Sequence, residues 1–224
     1  ALEITKIVAA KTPSLNPSDT TGTGTPNLPF LTLSKALSVA GEGDTVLLGA
    51  GTYGAGESWP SGGVTPVANV PAGVTIEGMS SDRGAVLLDG QGAASTDGLA
   101  FAGSVSVRNL SIRGFRYAMY AMTGTGAARQ GEMTLQNVAA FDNLAGLWVQ
   151  YADSLRVEDA AFRNNSVGSA GGWGLLVQGV RNVDIQETEV IGNYVGLRLT
   201  TVAGAPSAAS LTGLTVTTNA TQGV

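Results

Sequence analysis

Side chains suited to holding a ligand recur at fixed intervals in the second half of the chain. Tyr120 and Trp148 stand 28 residues apart, Leu176 follows 28 later, and Arg198 comes 22 after that. Gln150 and Gln178 each lie two residues beyond a member of this series. Exposed aromatic faces with amide neighbours suit a sugar ring: the ring stacks, and the amides meet hydroxyls. Tyr120, Trp148, Gln150, Gln178 and Arg198 are therefore the candidate ligand-binding set. The competing reading is that Tyr120 and Trp148 pack beneath corner loops as an outlying piece of core.

Catalytic chemistry is harder to find. The chain has no His, which removes the commonest general base and the commonest metal ligand, and no Cys, which removes thiol and disulfide chemistry. Carboxylates do stack in places, Glu158 and Asp159 near Glu187, and Asp142 near Asn164. Those are turn and surface positions, where charges mark solvated faces. Asp89, Gln91 and Asp97 read as turn residues, and Asp82 with Arg83 and Asp153 with Arg156 as local surface pairs. Calcium needs about six to eight oxygens from a compact set, and glycoside hydrolysis needs two carboxyls about 5–9 Å apart. The candidate column offers neither. The sequence thus supplies no catalytic residue, no metal site and no cofactor set.

These side chains are positioned by a repeat. The runs Val107–Ile112, Leu135–Ala140, Val157–Phe162, Ile185–Val190 and Leu211–Val216 align, with apolar or small residues at the first, fourth and sixth positions except for Thr188. Three residues beyond each run stand Phe115, Asn143, Asn165, Asn193 and Asn219. A second short run follows, as in Gly146-Leu-Trp-Val-Gln150 and Gly174-Leu-Leu-Val-Gln178. The steps are 28, 22, 28 and 26 residues, so a coil of 22 carries insertions at Thr123–Gly131, Ser166–Gly172 and Val202–Ala208. Two strand patterns per coil, with no helical period, predict stacked strands. A coil this short has no room for a crossover helix, so parallel neighbours must wind round an axis. Alternation then turns Tyr120, Trp148, Leu176 and Arg198 outward and Met119, Leu147, Leu175 and Leu197 inward. The Asn143, Asn165, Asn193 and Asn219 column reads as a structural ladder, with Asn chosen for hydrogen bonding from coil to coil and for its tolerance of the left-handed corner conformation.

Ahead of the coils, residues 1–44 read as a strand, a loop and a helix over Pro29–Ala40 that caps the open end of the first coil. Residues 45–224 form the coils of the same domain. A Gly- and Thr-rich loop, Pro29-Phe-Leu-Thr-Leu33, Lys35-Ala-Leu37, Gly43-Asp-Thr-Val-Leu-Leu48 and Gly51-Thr-Tyr53 together resemble the N-terminal signature of pectin-lyase-like right-handed parallel β-helix proteins. The likeness is strongest to their bacterial extracellular branch. It implies an all-β, right-handed parallel β-helix with an N-terminal helical cap, secreted or held at the cell surface. Enzymes of that fold act on polysaccharide along one sheet, the face carrying the Gly-Leu-x-Val strands here. The Asp pair, Gly-His-Gly and Arg-x-Lys of polygalacturonase-like members are absent from this sequence.

Net charge −5 with no Lys/Arg cluster argues against nucleic acid, and no run of 18 apolar residues spans a membrane. Glycine numbers 32 and charged residues make up 13%, which suits a solenoid of many turns and an aliphatic interior. The expectation is a non-catalytic extracellular module for adhesion or carbohydrate contact on a bacterial surface or secreted protein, with polysaccharide or cell-surface glycan as its partner. The alternatives are a lyase or hydrolase acting on acidic glycans, with its catalytic coils beyond Val224, and a plain spacer. The last coil stops at Gly223-Val224, in mid-strand, so further coils or a C-terminal cap are expected beyond it.

Overall fold

The recurring 1-4-6 apolar spacing is a corner between two strands. In the computed structural model, which describes residues 6–11, 15–54, 66–92, 96–121, 129–165, 172–201 and 208–220, the third position of each run has a positive φ. These residues are Asn109 (57°), Asn137 (52°), Asp159 (50°), Glu187 (45°) and Gly213 (61°). One left-handed residue breaks the alternation of period two, so the inward positions fall at one, four and six instead of one, three and five. Each regular coil therefore has three strand segments where the sequence suggested two.

The strands are β1 (Lys6–Ala9), β2 (Thr45–Leu48), β3 (Gly51–Tyr53), β4 (Pro66–Val70), β5 (Thr75–Gly78), β6 (Val86–Asp89), β7 (Asp97–Phe101), β8 (Val105–Arg113), β9 (Tyr117–Ala121) and β10 (Gln130–Phe141). They continue as β11 (Ala145–Gln150), β12 (Ala152–Glu158), β13 (Ala161–Arg163), β14 (Trp173–Gln178), β15 (Asn182–Gln186), β16 (Glu189–Ile191), β17 (Val195–Thr200), β18 (Ala208–Thr212) and β19 (Thr215–Thr217). Every strand pairing among the described residues is parallel. Parallel neighbours cannot be joined by a hairpin, and here three short strands wind once round before each return.

Face one carries β1-β2-β5-β8-β10-β12-β15-β18. Face two carries β3 and β6, the C-terminal halves of β8 and β10, then β13, β16 and β19. Face three carries β4-β7-β9-β11-β14-β17. The chain is an all-β, right-handed parallel β-helix, the hand that twisted strands favour for such crossovers.

Inside, like sits on like. Val107, Leu135, Val157 and Ile185 follow one another in register and are fully buried, as are Ile112, Ala140, Phe162 and Val190. Each large aliphatic side chain so buried contributes about 1.5–3 kcal/mol. Thr188, the polar member of the series, is buried too, and its hydroxyl donates to the Gln186 carbonyl at 2.8 Å. Gly146 and Gly174 allow the coils to close up on one another. A Cβ on Gly146 would come within 2.7 Å of the Phe162 ring, and one on Gly174 within 2.6 Å of the Gly196 carbonyl.

The cap differs from the expected Pro29–Ala40 helix. Helix α1 spans only Leu33–Val39, with Thr32 as N-cap taking the Lys35 amide at 3.0 Å. Pro29 to Leu31 are held outside it, because Phe30 bridges β1 by accepting from Ala10 and donating to Val8. The Asp19 carboxylate fixes the junction, accepting from the Leu31 and Thr32 amides and from the Thr32 hydroxyl. Leu33, Ala36 and Leu37 are buried on the side of α1 that meets β1, β2 and β4.

A second departure lies between β5 and β6, where residues 79–85 fold back over the corner of later coils. Asn137 Nδ2 donates to the Ser81 carbonyl (2.7 Å), Arg83 Nη1 to the Asp159 carbonyl (2.8 Å), and Ser111 Oγ to the Arg83 carbonyl (3.0 Å). Arg83 thus reaches across three coils, while Asp82 caps the short turn through Gly84. Asp153 pairs with Arg129 and Arg181 rather than with Arg156, which meets Glu158 and Asp184 instead. Strand register explains the exchange, because Arg156 and Asp184 are direct partners on β12 and β15.

Candidate functional site

The candidate column lies on the outside of face three. Tyr120 pairs with Trp148, Trp148 with Leu176, and Leu176 with Arg198, on β9, β11, β14 and β17. Beneath them Met119, Leu147, Leu175 and Leu197 are fully buried in the core. Tyr120, Trp148, Gln150 and Gln178 are half-buried and Arg198 is exposed. Leu176, although it alternates outward, is only 4% exposed and forms the floor between Trp148 and Arg198. The corner insertions Thr123–Gly131 and Val202–Ala208, which follow this strand column, fall largely outside the described residues, at 122–128 and 202–207.

The aromatic surface is wider than the pair found from spacing. Tyr117 and Trp173 join it: the Tyr117 ring meets Trp148 edge-on at 5.2 Å and leans on Tyr120 at 5.9 Å, and Trp148 meets Trp173 at 6.0 Å. Four rings from β9, β11 and β14 thus form one connected patch over three coils. Tyr117 and Trp173 occupy one register position, shared with Ala145 and Val195. A column that reads Tyr, Ala, Trp, Val shows no recurrence in chemical type. The only available signal was its place, three residues before the Tyr120 column.

One edge of the patch is held by an ion pair. Asp97 is 1% exposed and opens β7, instead of lying in a surface turn. Arg116 meets it through two hydrogen bonds, Nε to Oδ1 at 2.7 Å and Nη2 to Oδ2 at 2.6 Å. The same guanidinium stacks 4.6 Å from the centre of the Tyr117 ring. Bonding to Asp97 raises the Arg116 pKa against the opposing cost of burial. Burial raises the Tyr117 and Tyr120 phenols above their ordinary value; Asp97 adds to this and Arg116 opposes it.

The other edge is polar. Trp148 Nε1 donates to Gln178 Oε1 at 3.4 Å, and Gln150 Nε2 donates to the same oxygen. Arg198 makes no hydrogen bond or ion pair among the described residues. Taken together, face three offers a hydrocarbon platform with amides and a guanidinium at one end, chemistry suited to a ligand with both ring faces and polar groups. Among the described residues, no three His, Cys, Asp or Glu gather where they could hold a metal.

The Asn column lies at the entry to face three, with Asn143, Asn165 and Asn193 buried and Asn219 half-buried. Asn143 Nδ2 donates to Asn165 Oδ1 (3.1 Å), Asn165 to Asn193 (3.0 Å), and Asn193 to Asn219 (3.1 Å). Each Oδ1 also takes the backbone amide of the Asn before it in the column, and the Asn143 oxygen takes the Phe115 amide at 3.0 Å. The left-handed residue is not the ladder Asn but the one before it: Gly114, Asp142, Asn164, Gly192 and Thr218 have positive φ. The reason for Asn at the ladder is therefore hydrogen bonding alone.

A family model described as "Protein of unknown function (DUF1565)" matches residues 16–222. Neither the curated proteins nor the solved structures include a match.

Proposed function

This chain belongs to the DUF1565 family, and from that premise we propose that it is a non-catalytic module whose third face holds polysaccharide. The supporting observation is the connected patch of Tyr117, Tyr120, Trp148 and Trp173 on the outside of a rigid sheet, bordered by Gln150, Gln178 and Arg198. Aromatic rings on a flat, preorganised sheet lose little freedom when a sugar stacks on them. The spacing between coils, about 4.8 Å, lets successive rings of a chain meet successive strands. Such a platform serves adhesion or glycan contact at a bacterial surface or on a secreted protein. Likeness to the pectin-lyase-like branch belongs to the same proposal, supported by β2 and β3, which carry the Gly43–Leu48 and Gly51–Tyr53 segments of that signature.

The test is a glycan array followed by pull-down on insoluble polysaccharide. The chain should be retained, and Trp148→Ala should lose retention while its melting temperature stays within a few degrees. Retention unchanged in Trp148→Ala sinks the platform. Release of reducing ends or unsaturated uronates by the chain would replace it with an enzyme.

A further inference from the structure

Hydrogen bonds on face three fix which way its amides point. An indole N–H can only donate, so the Gln178 atom facing Trp148 Nε1 is the carbonyl oxygen. Gln150 presents its amide nitrogen to that same oxygen. The Gln178 amide nitrogen is left with both hydrogens, and it has no partner among the described residues. Thr200, beside Gln178 in register, directs its hydroxyl to the Val177 carbonyl at 3.5 Å. Arg198 stands exposed in the next coil with no carboxylate against it among the described residues. At the far edge of the patch the charge of Arg116 is already matched by Asp97. The two ends of the platform therefore differ: one is neutralised, the other shows donors and an uncompensated positive charge.

We propose that face three takes a glycan of mixed charge in one orientation. Uncharged rings stack on Tyr120 and Trp148, and a single anionic substituent, a carboxylate or a sulfate ester, meets Arg198 and the Gln178 amide. Arg198 lies two coils, about 10 Å, from Trp148, with Gln178 on the coil between them. A guanidinium with an amide N–H beside it can take both oxygens of such a group. A polymer charged on every ring is a poorer ligand, because it sets anions against the negative faces of the aromatic rings. This assignment rests on the glycan reading of the platform.

The experiment is calorimetric titration of the chain with three β-linked glucose hexasaccharides: neutral, oxidised to a uronic acid on one terminal ring, and oxidised on every ring. A fourth, carrying one terminal sulfate ester, separates the two anion types. The singly charged probes should bind about tenfold more tightly than the neutral one. That ratio should shrink with added salt and collapse toward one in Arg198→Gln. The fully oxidised probe should bind more weakly than the singly oxidised one. Equal affinity for neutral and singly charged probes, a preference that survives Arg198→Gln, or tightest binding of the fully oxidised probe each overturns the anion subsite and leaves the platform standing. Failure of all four to bind removes the platform reading and this assignment with it.

Discussion

The carboxylate of Asp97 and the guanidinium of Arg116 meet at two points, 2.6 and 2.7 Å, at a place where the carboxylate is sealed from water. A buried pair of this kind is a weak source of net stability, since desolvating both charges offsets most of their attraction. What it does provide is direction. Arg116 lies over Tyr117, Tyr117 abuts Trp148, and Trp148 bonds Gln178, so one ion pair sets the edge from which the platform is laid out.

Breaking the pair from one side is costly even though its net value is small. Asp97→Asn leaves Arg116 largely out of solvent and uncompensated, and should lower unfolding free energy by about 3 kcal/mol in urea titrations. The near-UV circular dichroism of Tyr117 and Trp148 should weaken in the folded variant. An unchanged aromatic spectrum would mean that the rings hold their places without Arg116.

Alkaline pH offers a second handle on the same patch. Tyr117 and Tyr120 have pKa values raised above 10.0, burial being the largest cause for both. The fold keeps these phenols neutral while the unfolded chain ionises near its ordinary value. Their contribution is therefore fully present below pH 10 and is lost as pH climbs through the raised values. Stability should fall over that window, and the fall should be shallower in a Tyr117→Phe, Tyr120→Phe double variant.

Much of this architecture was legible from the sequence, for reasons that particular residues make clear. The 1-4-6 spacing encodes a corner, because one left-handed residue such as Asn109 shifts the alternation by one place. The Asn column recurs because each amide needs an identical neighbour at the next level. Where recurrence fails, so does the reading. Tyr117 and Trp173 share a column with Ala145 and Val195, and the insertion before Trp173 moves it away from its Asn anchor. Asp97 precedes the regular coils, so nothing in its surroundings distinguished a buried ion-pair member from a turn residue. The helix boundary moved from Pro29 to Leu33 because of Asp19, 13 residues before Thr32 and invisible to local periodicity.

Within the ladder, Asn165 receives two hydrogen bonds from Asn143 and gives others to Asn193 and to the Ala140 carbonyl. Asn165→Leu strands several buried groups at once and should cost about 2–5 kcal/mol by chemical denaturation. Asn219→Leu, where the site is less enclosed, should cost clearly less. Equal losses would show that burial of volume, not hydrogen bonding, sets the column.

The close approach of coils at Gly174 makes a complementary test. A methyl group there meets the Gly196 carbonyl at 2.6 Å and Val190 Cγ1 at 2.8 Å. Gly174→Ala should destabilise by about 1–3 kcal/mol through overpacking, read as a lower midpoint with unchanged denaturant slope.

The Asn amides all hand their hydrogens forward, from 143 to 165 to 193 to 219, and the backbone N–H of Phe115 donates to the first oxygen, Asn143 Oδ1. A benzyl side chain at 115 can neither donate nor accept, so the array has a terminus on that side by chemistry rather than by length. An engineer duplicating a level between Asn143 and Asn193 would find both faces of the new amide already matched, whereas a copy placed ahead of Phe115 would meet a carbon wall. The amide array thereby has a direction and a start at Phe115, and the coils that precede it stack without such a column.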